Sequence, residues 1–119
     1  MQEKELRIET MPLTSRGAML MRLKGNLDAH TYPSLENALS GIYSKGSYSI
    51  VVDMSDLDYM ASAGVGVLIG ALSRTRENRG DILLMNPQPS VEGVLELLGL
   101  RDLFNIVADR AAAMAMLAH

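Results

Sequence analysis

Asp53, Asp56 and Asp58 stand close together just after the apolar run Ile50-Val51-Val52. Such a run marks a central strand covered on both faces, and open α/β sheets hold their ligands beyond the C-terminal ends of those strands. Carboxylates placed there have one chemical reading, a Mg²⁺ site of the phospho-receiver kind. Their spacing is not that of a calcium loop, however, and no backing carboxylate pair accompanies it. A solvated loop of turn-forming Asp residues is the favoured reading.

Gly64-Val65-Gly66-Val67-Leu68-Ile69-Gly70 invites a second chemistry, because glycines at a helix start let backbone N–H groups approach a pyrophosphate. The third Gly falls one place late for that fingerprint. The next strand, Ile82–Met85, also ends in Asn86 with no ribose-binding carboxylate. Close helix–sheet packing through Gly66 and Gly70 is the expected use of these residues. Ser62 carries more physical content. It stands just before a helix expected from about Ala63, where a hydroxyl caps an orphan N–H, a contact worth ~1 kcal/mol. The same place suits phosphorylation, since an added charge of about −2 faces the positive end of the helix dipole. No base adjoins Ser62 in sequence, so a hydrolase role has little support.

His30 and His119 are far apart and the chain has no Cys, which leaves a transition-metal site without ligands. No metal, no cofactor and no enzymatic acid/base pair is expected. The 119 residues suit one domain, with 48% hydrophobic and 21% charged residues in globular proportion. A net charge of −3 argues against nucleic acid as a partner. The segment Met1–Arg7 lacks the apolar stretch of a secretory signal, and the longest apolar run, Val65–Leu72, is too short to span a bilayer. Together with the absence of Cys, this reads as a soluble cytoplasmic protein.

Certain elements must position these residues. Leu6 and Ile8, then Met19, Met21 and Leu23, alternate with polar residues as two half-buried strands, the second ending at Gly25. Pro33-Ser34 open a helix with Leu35, Leu39 and Ile42 on one face, closed by Gly46. Strand Ile50–Val52 follows. A second helix has the stripe Val65, Leu68, Ile69 and Leu72 and ends in the charged run Arg74–Arg79, with Gly80 as its C-cap. After strand Ile82–Met85, Ser90 caps a third helix with Val91, Val94, Leu95 and Leu98 inward. Phe104–Val107 is the last strand, and Asp109 caps a terminal helix on which Met114 and Leu117 pack back. The order β-β-α-β-α-β-α-β-α predicts a small α/β domain with a mixed, mainly parallel sheet and four helices. It is expected as one domain over 1–119, with a core over about 5–108 and a terminal helix over about 109–118.

Three segments in this order carry a family resemblance: Gly25-Asn26-Leu27-Asp28, Val51-Val52-Asp53-Met54-Ser55, and Tyr59-Met60-Ala61-Ser62-Ala63-Gly64-Val65-Gly66-Val67-Leu68. With Leu97-Leu98-Gly99-Leu100-Arg101-Asp102-Leu103-Phe104 downstream, the chain resembles the STAS domain of bacterial anti-sigma factor antagonists. The resemblance implies a partner switch. The unmodified antagonist binds an anti-sigma factor, itself a serine kinase of the histidine-kinase-like ATPase fold, and frees a sigma factor. Phosphorylation of a Ser at the start of the second helix ends the complex, and a metal-dependent phosphatase of the PP2C type restores it.

On that resemblance the phosphoacceptor falls on Ser62, and Asp28 falls on the acidic residue of a Gly-x-Leu/Ile-Asp turn. Ala61 replaces the family's Asp and Ala63 its second hydroxyl, which leaves Ser62 alone as acceptor. The implied partner surface draws on Asn26, Asp28, His30 and Thr31 from the first turn. Tyr59, Ala61, Ser62, Ala63, Gly64 and Gly66 follow from the helix start, with Ser73 and Arg76 further along that helix. No membrane insertion is implied, and a monomer or weak dimer is expected. Two other roles are compatible with a STAS domain. One is a non-phosphorylated subunit that binds and stabilises an ABC-type lipid transport ATPase, which Ala61 suits slightly better. The other is a nucleotide-binding module using Gly64–Gly70.

Overall fold

A computed structural model describes residues 5–118, so the readings placed on Met1–Lys4 and on His119 lie outside the described residues. Five strands and four helices alternate as β1 (Leu6–Pro12), β2 (Met19–Leu27), α1 (Tyr32–Ser44), β3 (Ser49–Met60), α2 (Ser62–Glu77), β4 (Asp81–Met85), α3 (Pro89–Leu97), β5 (Asn105–Val107) and α4 (Arg110–Leu117). The strands form one mixed sheet in sequence order, β1 antiparallel to β2 and every later neighbour parallel.

Period-two alternation sorts the strand side chains between two cores. Met21, Leu23 and Leu27 of β2, with Ile50, Val52, Met54 and Leu57 of β3, face one cluster. Leu35, Leu39 and Ile42 of α1, Val65, Leu68 and Leu72 of α2, and Val91 and Leu95 of α3 fill its other side. Each such fully buried aliphatic side chain contributes about 1.5–3 kcal/mol. Leu20, Val51, Leu83 and Val107 face the opposite way and are covered by Ala113 of α4. The sheet therefore carries three helices on one face and one on the other.

Local chemistry explains the boundaries. Pro33 occupies the first turn of α1, as expected, and the Asp109 side chain accepts from the Ala112 N–H at 2.8 Å to cap α4. Other expectations are corrected. Ser90 caps nothing: α3 begins at Pro89 after Gln88, and the Ser90 hydroxyl donates to the Asp58 carbonyl at 3.1 Å. Gly80 is not the C-cap of α2, which is Asn78, and the left-handed position belongs to Arg79 (φ 63°). A glycine is needed at 80 for another reason, because a Cβ there would collide with the Tyr48 carbonyl. Leu98 is exposed rather than inward, and on α4 Met114 is exposed while Ala113 takes the buried position.

The largest correction concerns β3. It continues through Asp53, Asp56 and Asp58 to Met60, so the acidic group lies on a strand and not in a loop. Its second half runs past the end of β4, whose pairing stops at Asp53–Met85. Side chains from the start of α3 occupy that flank: Gln88 donates to the Ser55 carbonyl at 2.8 Å, beside the Ser90 bond to Asp58.

Candidate functional site

The C-terminal ends of β2 and β3 lie side by side, Asn26 beside Tyr59 and Leu27 beside Met60. Each strand then turns into a helix, β2 through Asp28–Thr31 and β3 through Ala61 alone. The Ala61 N–H donates to the Leu27 carbonyl at 2.9 Å, extending the β2–β3 pairing by one rung. Gly64 is buried on Leu27. A Cβ at Gly64 would stand 2.7 Å from Leu27 Cδ2, well inside the about 3.5–4.0 Å of normal carbon contact. The start of α2 is therefore pressed onto the end of β2 as closely as a backbone allows.

This pinning moves the helix start. Ala61 is extended (φ −97°, ψ 169°) and its carbonyl accepts from the Gly64 and Val65 N–H groups at 3.0 and 3.2 Å. Ser62 is thus the first residue of α2 and not its N-cap, which corrects the capping expected from sequence. Ala61 offers no side-chain acceptor, and the Ser62 hydroxyl makes no hydrogen bond among the described residues. The side chain is exposed on the first turn, which contains no acidic residue.

The neighbouring turn is rigidly bonded. One carboxylate oxygen of Asp28 accepts from the His30 N–H at 2.9 Å and the Thr31 N–H at 3.1 Å. The Thr31 hydroxyl accepts from the Asp28 N–H at 2.9 Å and donates to the Asn26 carbonyl at 2.8 Å. The His30 N–H, helped by the N–H and hydroxyl of Thr31, holds the Asp28 carboxyl below its ordinary value. The His30 imidazole makes no hydrogen bond among the described residues and is exposed, as is Tyr59.

The other positions follow α2. Ser62, Gly66, Ser73 and Arg76 all lie on its exposed face, but Arg76 is fourteen residues on, about 21 Å along the axis. Arg76 is also held by its own fold, with an ion pair to Asp81 at 3.2 Å and a donated bond to the Leu103 carbonyl at 3.4 Å. Gly66 and Gly70 do not pack on the sheet: a Cβ at either would meet nothing within 4 Å. Gly64 makes the close approach assigned to them.

Ile69 was missed as a surface residue. It is 37% exposed, between Gly66 and Ser73 on the same face, while Ala71 and Thr75 take buried positions. Thr75 is tolerated there because its hydroxyl donates to the Ala71 carbonyl at 2.8 Å. The signal was the spacing Val65, Leu68, Leu72, Thr75, which leaves Ile69 off the line.

Asp53 departs most from the metal reading. It is 7% exposed, accepts from the Ser55 N–H and hydroxyl at 3.0 and 2.7 Å, and pairs with Arg22 on β2 at 3.3 Å. Burial opposes its charge, and the Ser55 and Arg22 bonds outweigh that, leaving the carboxyl below its ordinary value. Its oxygens are spent on structure. No group of three or more His, Asp or Glu that could hold a metal ion occurs among the described residues. Nor is any helix among them long and apolar enough to cross a membrane.

Comparison with known proteins matches the same architecture. A family model described as the STAS domain matches residues 10–113. BtrV of Bordetella bronchiseptica is 30% identical over 99 residues, 83% of this chain and 85% of that protein. The anti-sigma-B factor antagonist of Staphylococcus aureus is 28% identical over 86 residues, 72% of this chain and 80% of its relative. The phosphorylated form of SpoIIAA, a Bacillus cell fate determinant, superposes with a TM-score of 0.70 at 25% identity, covering 94% of this chain and 98% of that one. With the family model spanning nearly the whole sheet and its helices, the chain belongs to the STAS domain family.

Proposed function

We propose that this protein is an anti-sigma factor antagonist that works by partner switching, with Ser62 as its phosphoacceptor. The observation that carries the proposal is the state of Ser62: a free, exposed hydroxyl on the first turn of a helix whose backbone is pinned beneath it. The unphosphorylated protein binds an anti-sigma factor that is a serine kinase of the histidine-kinase-like ATPase fold, and so releases a sigma factor. The partner covers the Asn26–Thr31 turn, Tyr59 and the exposed face of α2 from Ser62 through Gly66 and Ile69 to Ser73 and Arg76.

Phosphorylation adds about −2 charges at the positive end of α2, where the dipole and the unpaired N–H groups accept them without refolding. The same charge, set at the centre of a docked surface, weakens the complex by several kcal/mol. A PP2C-type phosphatase resets the cycle. Ala61 replaces the carboxylate found beside the acceptor in the family, so the kinase reads the site through the rest of this face.

The test is a paired capture from an extract of the source organism, with wild type and Ser62→Asp as baits and mass spectrometry as readout. Asp is favourable at a helix start, so both baits are folded, which circular dichroism checks. Capture of a histidine-kinase-like ATPase by wild type alone is the expected result. Capture of one transport ATPase by both baits, or of no kinase by either, overturns the proposal and points to the constitutive subunit instead.

A further inference from the structure

β1 pairs only with β2 and forms one edge of the described sheet. The Asn26 N–H donates to the Glu5 carbonyl at one end of the β1–β2 pairing, and the Leu13 N–H to the Ala18 carbonyl at the other. In an antiparallel pair the bonded positions alternate, so Arg7, Glu9 and Met11 turn their backbone groups toward β2. The N–H and C=O groups of Leu6, Ile8 and Thr10 then face outward, a row of open donors and acceptors. Pro12, which has no N–H, closes the row.

The side chains along this edge are self-complementary. When Ile8 lies opposite Ile8 of a second copy, Leu6 falls opposite Thr10 and Arg7 opposite Glu9, twice by symmetry. Leu6, Ile8 and Thr10 stand on one face of the strand, and Arg7 and Glu9 on the other. Within its own chain Arg7 lies across from Lys24, a like charge, and it makes no ion pair among the described residues. Beside the edge is an unfilled hollow of about 430 Å³ between β1 and α1, lined by Leu6, Ile8 and Met19 and by Ala38 and Gly41. Ala38 and Gly41 are the small residues on its α1 side, and Thr10, Ser34 and Lys45 add polar groups to its lining.

We propose that β1 pairs antiparallel with β1 of a second copy, centred on Ile8, so that the two sheets become one continuous sheet with Arg7–Glu9 pairs across the junction. The proposal is independent of Ser62 and of any kinase.

Sedimentation equilibrium of the full chain over a concentration series tests it, with Arg7→Glu, Glu9→Arg and the double variant. Wild type is expected as a reversible dimer, weakened by added salt. Each single reversal places two like-charge pairs across the junction and weakens the dimer by about tenfold or more. The double variant restores it. An equimolar mixture of the two single variants forms a heterodimer, because one copy then carries Glu at both positions and the other Arg. Thermal melts at low protein concentration establish that each variant is folded. A wild type that stays monomeric throughout the series overturns the proposal. So does a dimer indifferent to single reversal, or a mixture of the single variants that fails to associate.

Discussion

Gly64→Ala tests whether the contact with Leu27 fixes the start of α2. Two effects oppose each other. Replacing Gly by Ala in a helix favours folding by up to about 1 kcal/mol. Against this, the new Cβ would stand 2.7 Å from Leu27 Cδ2, with Leu27 fully buried in the main core. Leu27 must shift by roughly an ångström to restore normal carbon contact, and overpacking of that kind costs about 1–3 kcal/mol. The net expectation is destabilisation by about 1–2 kcal/mol, read from urea unfolding, or a fall in Tm of roughly 4–8 °C. Leu27→Ala alone removes a buried side chain and costs about 2–5 kcal/mol. In the double variant the methyl added at position 64 occupies part of the space Leu27 vacates, so the combined loss is smaller than the sum by about 1 kcal/mol or more. A Gly64→Ala protein more stable than wild type by the full gain of about 1 kcal/mol would refute the close-contact argument. Additivity of the two changes within about 0.5 kcal/mol would do the same.

Two further outcomes follow from neighbouring residues. Gly25 has φ 111° and a Cβ there would press on the Glu5 carbonyl, so Gly25→Ala is expected to destabilise by at least about 3 kcal/mol in urea unfolding. The carboxyls of Asp28 and Asp53 titrate below their ordinary value of 3.8 when folded, so the unfolded chain takes up protons first as the solution is acidified. Their contribution is complete above that value and is lost as pH falls through the lower folded values. Asp53→Asn, which cannot keep the Arg22 ion pair, should flatten the acid limb of a stability–pH curve, and an unchanged limb would remove Asp53 from this role.

Element order and sheet class were legible because alternation in β1 and β2 and the i, i+3, i+7 stripe of α2 are dictated by geometry that every sheet and helix shares. The parallel order followed from strands that alternate with helices. What the sequence hid was set by tertiary contact. β3 looked like three residues because only Ile50–Val52 is an unbroken apolar run, whereas Asp53 is polar and is accommodated on the strand by bonds from Ser55 and Arg22. The helix start at Ser62 hid for a related reason. The Ala61 N–H bonds to the Leu27 carbonyl of a neighbouring strand, so sheet register and not a capping side chain sets where α2 begins, and no cap residue marks the place. Gly64 and Gly66 look alike in a list of letters, and only the position of Leu27 separates them. Ser62 as acceptor rested on family likeness, and capping chemistry pointed to a different use of its hydroxyl.

The overhang of β3 beyond β4 has a consequence for how the protein opens. From Met54 to Met60 the strand pairs only with β2, through a ladder broken by two register shifts, and its other flank is held by single side-chain bonds from Gln88 and Ser90. Its backbone thus has fewer ladder bonds than Ile50–Val52, which pair on both sides, even though Met54, Leu57 and Met60 are buried in the main core. Amide exchange in this overhang and in the first turn of α2 should therefore outpace exchange in Ile50–Val52. Ser62 follows directly on the end of this overhang, so local opening there would move the first turn of α2 while the centre of the sheet remains closed.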